Sequence, residues 1–383
     1  MSPAPRRSRG TAGAQVSNVV CGPLAAAVAL GAGVLLARRG QLAVDFRASY
    51  LPAARKLLHG QSPYPLHAVR DISRGVGLVY PPLTAWLTVP FTMLPSGVAT
   101  AAVTVLALAG VPTALYLLGV RDWRCYGCAL LWPPVLESIQ TGNVTIPLLL
   151  ALAAAWRWRD RAFVAASAIG FAVALKLFLA PLVLWLAATR RYRAAAAAAA
   201  ASVGLILVPW AAADFRGFAA YPGLLRTAER IEGPLSYGLA GQAHLLGLPA
   251  TLGVAVGYLG GLGLALAALP LGRAGREREA MTVAVAASLV ASPIVWLHYL
   301  SLLLVPLALA RPRLDWLWWV PLPLWVCSGG VPGSGFQRAI FVLVATTVAL
   351  GSVRGSDRRS PAARRSSTTR SDYPVAASEA GRA

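Results

Sequence analysis

Basic residues recur along this chain in short clusters that punctuate long apolar runs, and no other feature constrains its fold so tightly. The clusters are Arg121/Arg124, Arg157/Arg159/Arg161, Arg190/Arg191/Arg193, Arg273/Arg276/Arg278 and Arg311/Arg313. Arg6, Arg7 and Arg9 precede them, and Arg354, Arg358, Arg359, Arg364, Arg365 and Arg370 follow. In a bilayer every backbone polar group must be satisfied inside its own span, so apolar runs of this kind fold as helices. Short cytoplasmic loops collect Arg and Lys. If all the clusters are cytoplasmic, an even number of crossings separates each consecutive pair. The sequence then reads as an all-α polytopic membrane protein.

Composition agrees. Of 383 residues 57% are apolar and 13% charged, against about a quarter charged in a soluble domain. The net charge of +21 raises the question of nucleic acid. The arginines, however, sit beside apolar spans or in the polar tails, where anionic lipid and the positive-inside rule account for them. No basic groove belongs to a soluble domain, so membrane lipids are the expected partner and nucleic acid is not. Among 35 lysines and arginines only Lys56 and Lys176 are lysine. With abundant Ala, Gly and Pro, that bias points to a high-GC bacterial genome and hence to a bacterial plasma membrane. Cys125 and Cys128 form a CxxC without a redox fold around it, and small apolar packing residues describe them better.

The even-crossing rule decides the ambiguous segments. The first apolar run, 19–37, is long enough to span and is followed by Arg38 and Arg39 rather than a processing site, so it reads as a retained helix after a basic cytoplasmic tail, 1–18. Between Arg124 and Arg157 lie 32 residues, enough for two short crossings with a polar apex at Glu137 to Asn143. Between Arg161 and Arg190 lie 28 residues, read as two half-length helices meeting at Lys176. Further spans are expected over 98–118, 194–212, 249–270, 280–297, 299–310, 314–328 and 336–352. The membrane domain is then 19–353, with about twelve transmembrane helices and both termini inside. The stretch 82–96 becomes re-entrant or interfacial, and 354–383 a basic, disordered tail. Outer loops fall at 38–81 and 213–248. All four histidines then lie on the outer side or at an outer helix end, with Asp45, Asp71, Glu137, Asp214, Glu229 and Glu232.

The first outer loop is the most informative. Apolar positions at Phe46, Tyr50, Ala54 and Leu57/Leu58 predict an amphipathic helix in the interface with Asp45 at or near its N-cap. Asp45 is therefore either a cap or a carboxylate kept for chemistry. His298 sits beside Trp296 and Tyr299, as an aromatic-belt residue or as a cationic donor. Lys176, the lysine inside the spans, either snorkels or serves function, since intramembrane charge marks a working site. Glu137, Gln140 and Asn143 either cap two short helices or line a pocket. No metal-ligand spacing and no Gly-rich nucleotide loop is present. No cofactor is expected, and a sugar-nucleotide donor is disfavoured.

Asp45-Phe46 with Tyr50, then Gly60-x-x-Pro63-Tyr64, then Tyr80-Pro81-Pro82 resembles glycosyltransferase family 87. So do Thr141-Gly142-Asn143 before an apolar helix, Leu175-Lys176 followed by Pro181, Arg190-Arg191-Tyr192-Arg193, and Ser292-Pro293 through His298-Tyr299. The resemblance spans residues 44–299. It implies a GT-C-like bundle with interfacial outer-loop helices. It also implies a polyprenyl-phosphate sugar donor and a glycolipid or glycan acceptor, as in the phosphatidylinositol-mannoside α-1,2-mannosyltransferases. Such a donor already carries a good leaving group, so a single carboxylate that deprotonates the acceptor hydroxyl suffices, with inversion at the anomeric carbon. A glycosidase needs a second carboxylate because its leaving group is an alcohol. Asp45 is the candidate base. His298, Lys176, Arg47 and His59 are candidates to face the leaving phosphate. Tyr50, Tyr64, Tyr80, Glu137, Gln140, Asn143 and Trp296 are candidates for the sugar or acceptor pocket. A polytopic transporter or lipid flippase would share the helix count and Lys176, but no internal repeat is evident.

Overall fold

The computed structural model of the chain describes residues 8–328 and 333–356, where every regular element is helical and no strand occurs. Residues 1–7 of the N-terminal tail and 357–383 of the C-terminal tail lie outside the described residues. Among the described residues five helices are long and apolar enough to cross a bilayer: Gln15–Arg38, Ser96–Leu117, Tyr192–Ala211, Ala250–Arg273 and Gly335–Arg354. The pair Pro133–Thr141 and Thr145–Arg157, bent by 117°, makes six if taken as one broken span.

The expected dozen is therefore not a dozen full-length helices. Helix Glu277–Ala291 has 15 residues, about 22 Å at 1.5 Å per residue, short of a hydrocarbon core of about 30 Å. The segment expected to span 314–328 forms only 3-10 turns, Trp316–Trp318 and Leu322–Cys327. Leu297–Ala310 is likewise short. Hydropathy cannot separate such pieces from spans, because both bury apolar side chains: Leu300, Leu302, Leu304, Val305 and Leu307 are all buried.

Two expected breaks are present. Helix Ala162–Leu175 stops at Lys176, whose backbone is extended (φ −144°, ψ 108°), and Pro181 opens the next helix, Pro181–Ala188. Leu83–Met93 is a short apolar helix closed by Pro95, and the Trp86 indole donates to the Pro209 carbonyl at 3.1 Å. Small residues let the helices approach closely. A Cβ on Gly170 would lie 2.6 Å from the Ala201 Cβ, so helix Ala162–Leu175 packs on Tyr192–Ala211 almost backbone to backbone.

The two long loops, 38–81 and 213–248, fold onto the bundle. Residues 46–58 are helical, but Phe46, Tyr50, Leu51, Ala53, Ala54 and Leu57 are buried, so this helix is built into the protein rather than laid in the interface. Asp45 is not its N-cap. It has helical φ and ψ (−63°, −41°) and makes no cap hydrogen bond, because the turn begins earlier, after Ala43 at φ 47°. The second loop carries helices Tyr221–Glu232 and Leu239–Leu245, the first packed against the short helix Ala68–Ser73.

Candidate active site

Phe46–Tyr50 is a π-helical turn. A π-turn inserts one residue into the helical repeat, and such turns gather at functional sites. Here it aims Asp45, Ser49 and Tyr50 into one cavity of about 270 Å³. The segment 72–80 with its two glycines, Gly75 and Gly77, forms one side of this cavity, and Glu137, Thr141, Glu232, Trp296 and His298 also line it.

The backbone beneath Asp45 is fixed by a contact between two left-handed residues. Gly142, at φ 61°, ends helix Pro133–Thr141, and Ala43 has φ 47°. A Cβ at position 142 would lie 2.8 Å from the Ala43 Cβ and 2.9 Å from its Cα. Only glycine fits both the dihedral and the space. That is the physical content of Thr141-Gly142-Asn143. The Asn143 amide donates to the Thr141 hydroxyl at 2.8 Å, and its carbonyl oxygen accepts from the Thr145 N–H at 2.8 Å. The same side chain lies close enough to the Asp45 carboxylate to favour its ionised form.

Charges of both signs surround that carboxylate. His298 is buried in the 3-10 turn Leu297–Leu303, and its Nδ1 lies 3.7 Å from Glu137 Oε1. The turn is held from below, where the Ser138 hydroxyl donates to the His298 carbonyl at 3.3 Å and shares a bond with Ser301 at 3.0 Å. Lys176 is buried one layer behind the cavity wall. Its Nζ lies 3.6 Å from the centroid of the Tyr299 ring and 4.9 Å from that of Tyr80, with no hydrogen-bond partner among the described residues. Burial pushes the Asp45 carboxyl above its ordinary range, while the charges of His298 and Lys176 pull it back. Burial, with the Asp45 charge nearby, raises Glu232 to about 7, opposed by Lys176 and by a hydrogen bond from Trp296.

Asp45, Tyr50, Tyr80, Glu137, Trp296 and His298 thus converge from four distant stretches of sequence, with Asn143 near Asp45 and Lys176 behind them. The other candidates lie elsewhere. Arg47, two residues on and turned to the far side of the helix, is exposed and donates to the Gly40 carbonyl at 2.8 Å. His59 ends helix Leu51–Leu58, about 21 Å along the axis from Asp45. Tyr64 is stacked on Trp210, ring centroids 5.3 Å apart, and its hydroxyl supports the Tyr80 carbonyl at 3.1 Å. Gln140 lies outside the cavity lining. Glu232, Ser49 and Thr141 are lining residues that sequence reading did not select. Glu232 carried one signal, as an acidic residue in a loop expected on the outer side.

A second cavity adjoins the first. It is an apolar groove of about 780 Å³ between Leu83–Met93, Ser96–Leu117, Thr145–Arg157 and Ala162–Leu175, and it shares Tyr50 with the polar cavity. Asn143 and Gly142 lie at its upper end, and it follows helix Thr145–Arg157 down to Ala154. Leu87, Leu106 and Phe163 on its rim are exposed, 83% in the case of Phe163, so the groove is open sideways.

The sequence profile of glycosyltransferase family 87 matches residues 78–297, more than half of the chain. The match includes Tyr80, Glu137, Asn143, Lys176, Glu232 and Trp296, while Asp45 and His298 lie outside it. No curated protein and no solved structure matches the chain.

Proposed function

The chain belongs to glycosyltransferase family 87 and is a membrane glycosyltransferase; from that premise we propose that it moves a hexose, mannose first, from a polyprenyl-phosphate donor to a glycolipid or glycan acceptor. The observation that carries this reading is that the two cavities lie side by side, with the buried Tyr50 lining both. A polar pocket with a desolvated carboxylate and His298, and with Lys176 buried behind its wall, lies against an apolar groove whose rim is open sideways. A donor with a sugar phosphate head and an isoprenoid tail has that shape and polarity.

In this mechanism the donor tail lies in the groove and its phosphate sits under His298, with Lys176 adding positive potential from behind the Tyr80 and Tyr299 rings. Asp45 accepts the acceptor hydroxyl proton as that oxygen bonds the anomeric carbon. The bond from that carbon to the phosphate oxygen breaks, the electron pair leaves with the polyprenyl phosphate, and the configuration inverts. Asn143 holds the carboxylate in register. Glu137 and Trp296 are placed to meet sugar hydroxyls. We assign the site to the outer face of a bacterial plasma membrane and both termini to the inner face. The five or six long spans and the half-length helices together make about twelve crossings. The half-length pieces are tolerable where they pack on protein or border the cavities.

The direct test is purified protein with radiolabelled polyprenyl-phosphate mannose and a panel of glycolipid acceptors. Transfer with inversion supports the reading, and transfer from a nucleotide sugar alone overturns it. Two further outcomes are expected. Since burial raises the Asp45 carboxyl, the residue is protonated at pH values where a free aspartate is ionised. Activity should therefore fall as pH drops, with the acid limb of kcat/KM above about 4; a flat profile there excludes Asp45 as the base. Ala107→Phe, which fills part of the groove, should raise KM for a long-chain donor. Displacing two methylenes costs ~1.6 kcal/mol, about tenfold. A short-chain donor should be nearly unaffected, and equal effects on both would remove the groove from tail binding.

A further inference from the structure

The end of the bundle remote from Asp45 holds a third cavity, of about 800 Å³, lined by Arg121, Arg157, Arg159, Arg276, Arg278, Glu277 and Glu279 together with Leu117, Leu118 and Trp156. Helix Thr145–Arg157 runs between the two sites. It begins two residues past Asn143 and ends at Arg157, so about 20 Å separates its ends. The cavity therefore has no part in the chemistry described above.

Five arginines face two glutamates here, and the carboxylates are already engaged. Glu277 pairs with Arg159 and with Arg191, each at 2.8 Å, and Glu279 with Arg276 at 3.2 Å. The Arg157 and Arg278 side chains are exposed and have no protein partner among the described residues. Arg121 lies over the Tyr116 ring, 4.1 Å from its centroid, and spends one nitrogen on the Tyr116 and Val120 carbonyls. The positive charge left over is concentrated where two apolar helices, Ser96–Leu117 and Thr145–Arg157, reach the membrane boundary. Leu117, Leu118 and Trp156 give the same cavity an apolar side, and Tyr116 is exposed beside it. A soluble anion has no use for that side. A lipid with an anionic head and acyl chains matches both halves.

We propose that this cavity binds the phosphate headgroup of an anionic phospholipid from the leaflet opposite the Asp45 site, with Arg157, Arg278 and Arg121 as its ligands. It clamps the Arg157 end of the helix whose other end carries the Asn143 contact to Asp45. The binding claim is independent of which sugar is transferred.

The test is native mass spectrometry of the full-length, detergent-purified protein titrated with phosphatidylglycerol or phosphatidylcholine. Phosphatidylglycerol should be retained preferentially. A surface arginine contributes about 1 kcal/mol to anionic-lipid binding, about fivefold. The double variant Arg157→Gln/Arg278→Gln should therefore lose affinity by about thirtyfold. Arg313→Gln, a basic residue of the same face outside the cavity, should stay within about twofold. Arg157→Lys/Arg278→Lys keeps the charge and should retain most of the binding, which separates lost ligands from a lost fold. Equal retention of the two lipids, or an unchanged double variant, overturns the site. Displacement of the lipid by inorganic phosphate that itself binds with the same variant sensitivity assigns the cavity to a soluble anion instead and also overturns it.

Discussion

Asp45→Asn protein, assayed per mole of folded enzyme, should lose sugar transfer by about 10²–10⁴-fold, the usual worth of a general base. The substitution keeps size and most hydrogen bonding but cannot take the acceptor's proton. It should fold, because burial already disfavours the charged carboxyl at this position and an amide removes that cost. The competing role, capping the following helix, has no support in the geometry, since Asp45 makes no cap hydrogen bond. A stability loss therefore cannot stand in for the activity loss. Donor binding should survive, because tail, phosphate and sugar contacts do not pass through residue 45. His298→Ala should differ in kind, weakening the phosphate contact and raising KM along with a smaller fall in kcat. Turnover of Asp45→Asn near that of the parent would remove Asp45 from the mechanism and leave the family match, which does not extend to residue 45, as the remaining support for catalysis.

The parts of this site legible in the sequence are those in which residue type and position both carry cost. A lysine within apolar helices, an aspartate eight residues past a span and a glycine before an asparagine are each expensive or unusual. Asp45, Lys176 and Asn143 stood out on those grounds and His298 as a histidine beside Trp296 and Tyr299, and Lys176 also marked the break between two half-length helices. Arg47 and His59 were not separable from them, because loops carry such residues routinely and only the π-turn decides which side chains face inward. Glu232 was hidden for the opposite reason. It ends an amphipathic helix rich in charge, Tyr221–Glu232, and nothing local distinguishes it from Glu229, which faces another cavity. The apolar groove left no trace. Val103, Ala107, Ile146, Leu150 and Phe171 come from three helices, and an apolar residue facing a groove looks like one facing lipid. Which apolar segments would be long enough to span alone was hidden similarly, because burial inside protein and burial in lipid draw on the same residues.

Gly142→Ala should cost about 100-fold in kcat although residue 142 touches no substrate in the proposed reaction, since misplacing a reacting group by about 1 Å is worth that much. Two effects act at once. Alanine is disfavoured at φ 61° by about 1–2 kcal/mol, and its Cβ would sit 2.8–2.9 Å from Ala43. Ala43 cannot absorb the push by a rotamer change, since its side chain is a single Cβ fixed to a left-handed backbone at φ 47°. Its carbonyl accepts the Arg47 N–H at 2.9 Å, so displacing it moves the turn that carries Asp45. Asn143, next in sequence, moves as well, and the carboxylate loses register on two sides. Gly119→Ala provides the control. Gly119 is also left-handed, at φ 89°, but a Cβ there meets nothing within 4 Å, so that variant should lose stability and keep its turnover. Thermal unfolding measured beside kcat for both proteins separates the effects. Similar stability losses with kcat impaired only in Gly142→Ala would show that the contact with Ala43 positions the base. Parallel behaviour of the two variants would reduce Gly142 to a helix terminator.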